Sequence, residues 1–249
     1  MTKTGVAPIA VALDAPDDAT LRTWAKAVAP YARCLKIGLE VFCRQGPGAV
    51  VQAREEAAIA GRADMEMFVD VKLHDIPATV GKAARALATL EPTYVTVHAA
   101  GGPQMVSAAV EQLPQSKVAA VTVLTSMDAD QLSALGVAGS PLDVVLRWAQ
   151  SAVQAGAQAI VCSPQEVAAL RAHVPRDITL ITPGVRPAGA QLDDQRRTAT
   201  PSQALSDGAD LLVIGRPITA ASDPREAARD IATDLDTLAV TRDGVEEKP

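Results

Sequence analysis

The sequence predicts an α/β fold, a single (β/α)8 TIM barrel, and three observations carry that expectation. Short apolar, β-branched runs alternate from end to end with longer Ala-rich amphipathic segments, eight of each. The runs are of the buried type, as strands of a parallel sheet covered by helices must be. No composition break or Ser/Gly-rich linker divides the 249 residues, so one domain over 1–249 suffices. An open doubly wound sheet is the alternative that the same alternation allows.

The first run, IAVALD (9–14), closes an N-terminal stretch interrupted by Pro8, too short for a membrane span and without a signal-cleavage pattern. CLKIGL (34–39), EMFVDVK (66–72) and TYVTVH (93–98) follow as strands two to four. VAAVTVLT (118–125), QAIVCS (158–163), ITLITP (178–183) and DLLVIG (210–215) complete the eight. Helices are expected over 18–29, 47–61, 78–90, 103–112, 141–155, 164–173, 201–207 and 223–239. Parallel strands need such crossovers. Ser163-Pro164 and Thr200-Pro201 set a capping residue before a proline at the first helical position, and Gly61, Gly156 and Gly208 mark helix ends. RDGVEEKP (242–249) reads as a frayed tail.

Composition excludes several functions. The chain is 48% hydrophobic but only 2% aromatic, which predicts a core of small branched side chains and no stacking platform for nucleic acid. A net charge of −6 is the wrong sign for wrapping a polyanion, so an anionic ligand must be held locally. Cys34, Cys43 and Cys162 are odd in number and widely spaced, matching neither a disulfide framework nor a zinc site and pointing to a reducing cytoplasm.

In a βα barrel the working groups stand at the C-terminal ends of strands. Those ends carry Asp14, Lys36, Asp70-Val-Lys72 with His74-Asp75, His98, Thr125-Ser126 and Gly215-Arg216. Two residues apart on a strand, Asp70 and Lys72 share a face, and charges there must pair to be tolerated. Alone they suit a structural ion pair as well as a catalytic one. Lys36 alone suits a snorkelling lysine, and Asp14 before Ala-Pro suits a turn or cap. The concentration of ionisable groups at neighbouring strand ends favours chemistry.

FVDVKLHDIPATV (68–80) resembles the D-x-K-x-x-D-I-x-x-T segment of orotidine 5′-phosphate decarboxylases, matching at Asp70, Lys72, Asp75, Ile76 and Thr79. The likeness runs on through ALD (12–14), LKIGLE (35–40), VHAAGG (97–102), VTVLTS (121–126), TPGVR (182–186), Gln195 and VIGRPIT (213–219). It implies a cofactor-free and metal-free decarboxylation of orotidine monophosphate in pyrimidine synthesis. Lys72 would be the proton donor and Asp70 would stand beside the departing carboxylate, with Lys36 and Asp75 extending a Lys–Asp–Lys–Asp row. It further implies a homodimer in which Asp75 enters the partner's site. Substrate contacts would come from Asp14, Lys36, Ile76 and Thr79, from Thr125 or Ser126 on the pyrimidine, and from Arg186, Gln195, Gly215 and Arg216 around the phosphate.

Residues 184–200 form a long polar stretch without helical or strand period, as lids or disordered loops do, and Arg186 and Gln195, which the resemblance sets at the phosphate, imply a phosphate-gripping lid. His74 and His98 are expected to be structural, and His173 to end a surface helix. A magnesium-dependent sugar-phosphate lyase shares the strand-three pattern and is the nearest rival. A non-catalytic nucleotide-binding barrel is the second.

Overall fold

A computed structural model describes residues 6–186 and 199–243. Eight parallel strands close into a barrel in sequence order. They are β1 (Ala7–Ala12), β2 (Ala32–Gly38), β3 (Glu66–Leu73), β4 (Tyr94–His98), β5 (Lys117–Val121), β6 (Ala159–Val161), β7 (Thr179–Thr182) and β8 (Leu211–Ile214). Around them lie α1 (Asp18–Val28), α2 (Leu39–Gln45), α3 (Gly48–Ile59), α4 (Pro77–Ala88), α5 (Pro103–Gln112), α6 (Ala129–Ala134) and α7 (Pro141–Gln154). The outer ring continues with α8 (Val167–His173), α9 (Pro201–Ser206), α10 (Arg216–Thr219) and α11 (Pro224–Asp243). Closure by a β1–β8 ladder rules out the open doubly wound sheet.

Local chemistry explains the helices. In α1 the Asp17 side chain accepts from Thr20 N–H, and Leu21, Ala25 and Val28 form the buried stripe. Thr200 caps α9 ahead of Pro201 as expected. At 163–166 the cap is reversed, with the buried Glu166 carboxylate accepting the Ser163 N–H at 2.8 Å, and the first turn is a 3-10 turn before α8 begins. The helices α2, α6 and α10 were not expected, and β5 ends four residues early, where Thr122 N–H and its hydroxyl both turn to the Val161 carbonyl. The last helix extends to Asp243, so the first two residues of the expected tail are helical, and 244–249 lie outside the described residues.

Between strands and helices runs a continuous core of Ala, Val, Leu and Ile. Inside the barrel, one residue from each strand forms a separate cluster, and here the expectation of small branched filling needs correction. Ala10, Ala119 and Ala159 leave room that Phe68 and Tyr94 occupy, their rings meeting edge-on at 5.7 Å. Beneath them Arg33 pairs with Glu66 at 3.0 Å, and Lys117 donates to Thr179 at 2.9 Å. Burial, then Glu66, pushes the Tyr94 phenol up to about 12. The barrel is thus plugged at its N-terminal end and open at the other.

Candidate active site

The open end holds a cavity of about 600 Å³, a size suited to a nucleotide-scale ligand. Register determines which side chains meet there. Ala12 of β1 pairs with Lys36 of β2, and Gly38 pairs with Asp70 of β3, which brings the first three strand ends side by side. Leu13 N–H donates to the Lys36 carbonyl, fixing Asp14 one residue on.

The result is a charged row, Asp14–Lys36–Asp70–Lys72. Lys36 Nζ lies 3.5 Å from Asp14 Oδ1 and 3.4 Å from Asp70 Oδ2, and Lys72 Nζ lies 2.8 Å from Asp70 Oδ1. The row is enclosed at its middle and more open at its ends: the Asp14 side chain is 49% exposed and Lys72 28%, against 9% for Lys36 and 13% for Asp70. Burial pushes the Asp70 carboxyl up, but Lys36, then Lys72, then hydrogen bonds from Lys72 and Thr96 outweigh it and hold the group below the ordinary carboxylate range.

Strand alternation alone does not bring Asp70 and Lys72 together. The β3–β4 register jumps between Val69↔Val95 and Leu73↔Val97, so three residues of β3 stand against Thr96 alone. Lys72 sits at φ +49°, in the left-handed region that costs a non-glycine residue roughly 1–2 kcal/mol. Such strain concentrates at working sites.

Gly38, which the sequence reading passed over, is a second special position. A Cβ there would meet Asp14 Oδ1 at 2.6 Å and Lys36 Nζ at 2.7 Å, so the Asp14–Lys36 contact closes over a space that only glycine leaves. Its sequence signal is a glycine within LKIGLE, where β2 ends.

Thr125, Gly215, Arg216 and Arg186 line the cavity with the row, and Thr219 and Glu40 join them unforeseen. Arg186 and Arg216 follow β7 and β8. β7 stands four strands round the ring from β3, so cationic groups border the cavity opposite Asp70 and Lys72. Gly215 approaches β1 closely, its Cβ position lying 3.4 Å from Ala12 Cβ. Between the two charged regions stand Phe68, Val121, Val123, Leu124, Val161 and Val213. Cys162 also lines the cavity, its thiol pushed up by burial and by Glu166.

The other expected residues stand apart. Asp75, Ile76 and Thr79 are exposed and do not line the cavity, and Asp75 Oδ1 accepts the next residue's N–H at 2.6 Å. The charged row within the chain therefore runs through Asp14, not Asp75. Ser126 is exposed and lies off the cavity wall. Of the expected lid, both ends are described: Val185 bridges Ala199, and Arg186 N–H donates to the Ala199 carbonyl at 3.0 Å. Gln195 and the rest of 187–198 lie outside the described residues. The rings of His74 and His98 face each other at 5.3 Å, and burial, then His74 and Lys72, lowers the His98 pKa. Among the described residues no three His, Cys, Asp or Glu side chains group as a metal site. Nor is any described helix long and apolar enough to cross a membrane.

Comparison with known proteins agrees with this geometry. Residues 7–231 match the model of the orotidine 5′-phosphate decarboxylase / HUMPS family. An orotidine 5′-phosphate decarboxylase of Thermobifida fusca is 59% identical over 229 residues, covering 92% of this chain and 96% of that protein. One from Frankia casuarinae is 54% identical over 242 residues, covering 93% and 88%. The crystal structure of orotidine 5′-phosphate decarboxylase from Lactobacillus acidophilus superposes with a TM-score of 0.78 at 33% identity, covering 92% of this chain and 99% of that one. With the match spanning the barrel and both charged borders of its cavity, the chain belongs to the orotidine 5′-phosphate decarboxylase / HUMPS family.

Proposed function

We propose that the chain decarboxylates orotidine 5′-phosphate to uridine 5′-phosphate and CO2, in pyrimidine nucleotide synthesis. The observation that carries this reading is the Asp70 carboxylate held between two ammonium groups at one border of a cavity whose opposite border is cationic. A ligand with a phosphate at one end and a reacting carbon at the other suits that polarity.

Breaking the C6–carboxylate bond leaves an electron pair in the plane of the pyrimidine ring, where the ring carbonyls cannot take it up by resonance. Fixed charge must stabilise it. Lys72 places an ammonium beside that carbon and then transfers a proton from Nζ to C6, completing the product. Asp70 keeps that ammonium oriented and sets a negative charge near the departing carboxylate. Lys36 and Asp14 hold the ribose hydroxyls, Thr125 the pyrimidine, and Arg186, Gly215 and Arg216 the phosphate, joined by Gln195 through its motif position. No step in this scheme calls on a metal or an organic cofactor.

We also infer a homodimer that shares its sites. Asp75 and Thr79 belong to the matching motif, yet both are exposed and away from their own chain's cavity, next to Ile76 at 66% exposure. A partner's cavity would give all three a place. Unpaired Cys34, Cys43 and Cys162 suit the cytoplasm.

The test is the fall in ultraviolet absorbance when orotidine 5′-phosphate is added to chelator-treated enzyme. Full activity supports the reading. No turnover overturns it, and turnover of a sugar phosphate that depends on magnesium overturns it in favour of the magnesium-dependent sugar-phosphate lyase.

A further inference from the structure

Thr96 lies in the middle of β4, fully buried, within YVTVH. Its position reads as that of a β-branched strand former, and its hydroxyl has no call on it from the ordinary β ladder. The structure gives that hydroxyl two partners. Lys72 N–H donates to Thr96 Oγ1 at 2.8 Å, and the Thr96 hydroxyl donates to Asp70 Oδ1 at 3.1 Å. A hydroxyl has one proton to give and lone pairs to receive, so both bonds form at once with a single orientation.

The register explains why a side chain is needed. Opposite the irregular segment 70–72, β4 offers Thr96 alone, and the bulge takes the Lys72 N–H out of the regular ladder. A buried N–H without an acceptor is costly, and Thr96 Oγ1 supplies one. The same oxygen then ties the Lys72 backbone, held at φ +49°, to the carboxylate that its own ammonium touches.

We propose that Thr96 is a positioning residue for the reaction: its hydroxyl clamps the strained Lys72 backbone to the Asp70 carboxylate and so sets where the Lys72 ammonium stands. This rests on the roles proposed for Asp70 and Lys72. The groups facing Asp70 are Lys36 from β2, Lys72 from β3, and Thr96 and His98 from β4. Of these Thr96 alone contacts both the backbone of Lys72 and the side chain of Asp70. Without the hydroxyl, Lys72 remains chemically competent but loses its registration over the reacting carbon.

Thr96→Val keeps the volume and removes the hydroxyl, whereas Thr96→Ser keeps the hydroxyl. For Thr96→Val, kcat is expected to fall about ten- to a hundredfold, while KM and the inhibition constant of uridine 5′-phosphate stay within about threefold. Thr96→Ser should recover most of kcat. If Thr96→Val does not fold, Thr96→Cys, a near-isosteric weak donor, is compared with Thr96→Ser, and equal kcat in those two overturns the proposal. So does a Thr96→Val enzyme with kcat within twofold of wild type, or a loss carried by KM alone. Lys72→Ala and Asp70→Asn run in parallel: if they stay active, the reading of the charged row fails. If they are inactive while Thr96→Val is not, the clamp alone fails.

Discussion

Lys72 Nζ stands 2.8 Å from Asp70 Oδ1, and the backbone carrying it there is left-handed. The contact is therefore held against a local conformational cost, and the surrounding charges must sustain it. Lys36 does so from the other side, 3.4 Å from Asp70 Oδ2.

The first expectation concerns acid. The folded-state pKa of Asp70 lies below its ordinary value of 3.8, because Lys36 and Lys72 together outweigh burial. A depressed carboxyl contributes stability that is present above the unfolded-state value and is lost as pH falls through the folded one. Urea unfolding of wild type and Asp70→Asn should thus differ by a constant amount above about pH 5, with wild type the more stable. The gap should begin to narrow at about pH 4 and close only once the pH has fallen through the lower folded-state value. A gap that widens in acid would contradict the assignment.

Gly38→Ala is expected to damage the site and spare the fold. Its backbone, at φ −90°, accepts any residue, but the new Cβ would meet Asp14 Oδ1 and Lys36 Nζ. KM should rise by about tenfold or more as those two groups separate, with thermal unfolding little changed. An unaltered KM would show that the Asp14–Lys36 contact does not matter to binding.

Arg216→Ala should weaken phosphate capture, raising KM by roughly ten- to a hundredfold, in line with loss of a charge-assisted hydrogen bond. Whether phosphate binding also drives catalysis is answered with the phosphate-free nucleoside, whose turnover by wild type should rise on adding inorganic phosphite. Phosphite without effect would separate phosphate binding from the chemical step.

The shared-site dimer has an arithmetic test. Lys72→Ala and Asp75→Ala chains should each be inactive alone, yet a mixed dimer holds one site with both defects and one with neither. Random exchange makes about half the dimers mixed, so roughly a quarter of wild-type activity per site should return under two-fold symmetry. Verified exchange of tagged subunits without recovered activity would assign Asp75 to its own chain.

The barrel was legible because its signal is repeated: eight buried runs, each followed by a helix, leave few other arrangements. The short helices α2, α6 and α10 were not, since they are too short to display a period and lie outside the eightfold repeat; α6 is betrayed only by its Asp128–Gln131 cap. In the site, Asp14, Lys36, Asp70 and Lys72 were readable as charges at the ends of apolar runs. Thr96 was not, because threonine inside a strand looks like any β-branched residue. Nor was the left-handed Lys72, as nothing marks a lysine for positive φ. The partnership of Lys36 with Asp14 depends on neighbouring strand ends and a glycine between them, which no linear spacing expresses.

The closed hydrogen-bonding ring has one further consequence. Each of the eight strands has a neighbour on both sides, so the barrel itself leaves no ladder edge for another polypeptide to extend. If copies of this chain pair as proposed, they would do so through side chains on helices and loops, and that contact could be redesigned residue by residue without rewiring the sheet. The barrel wall and the association surface are, in that sense, separately editable.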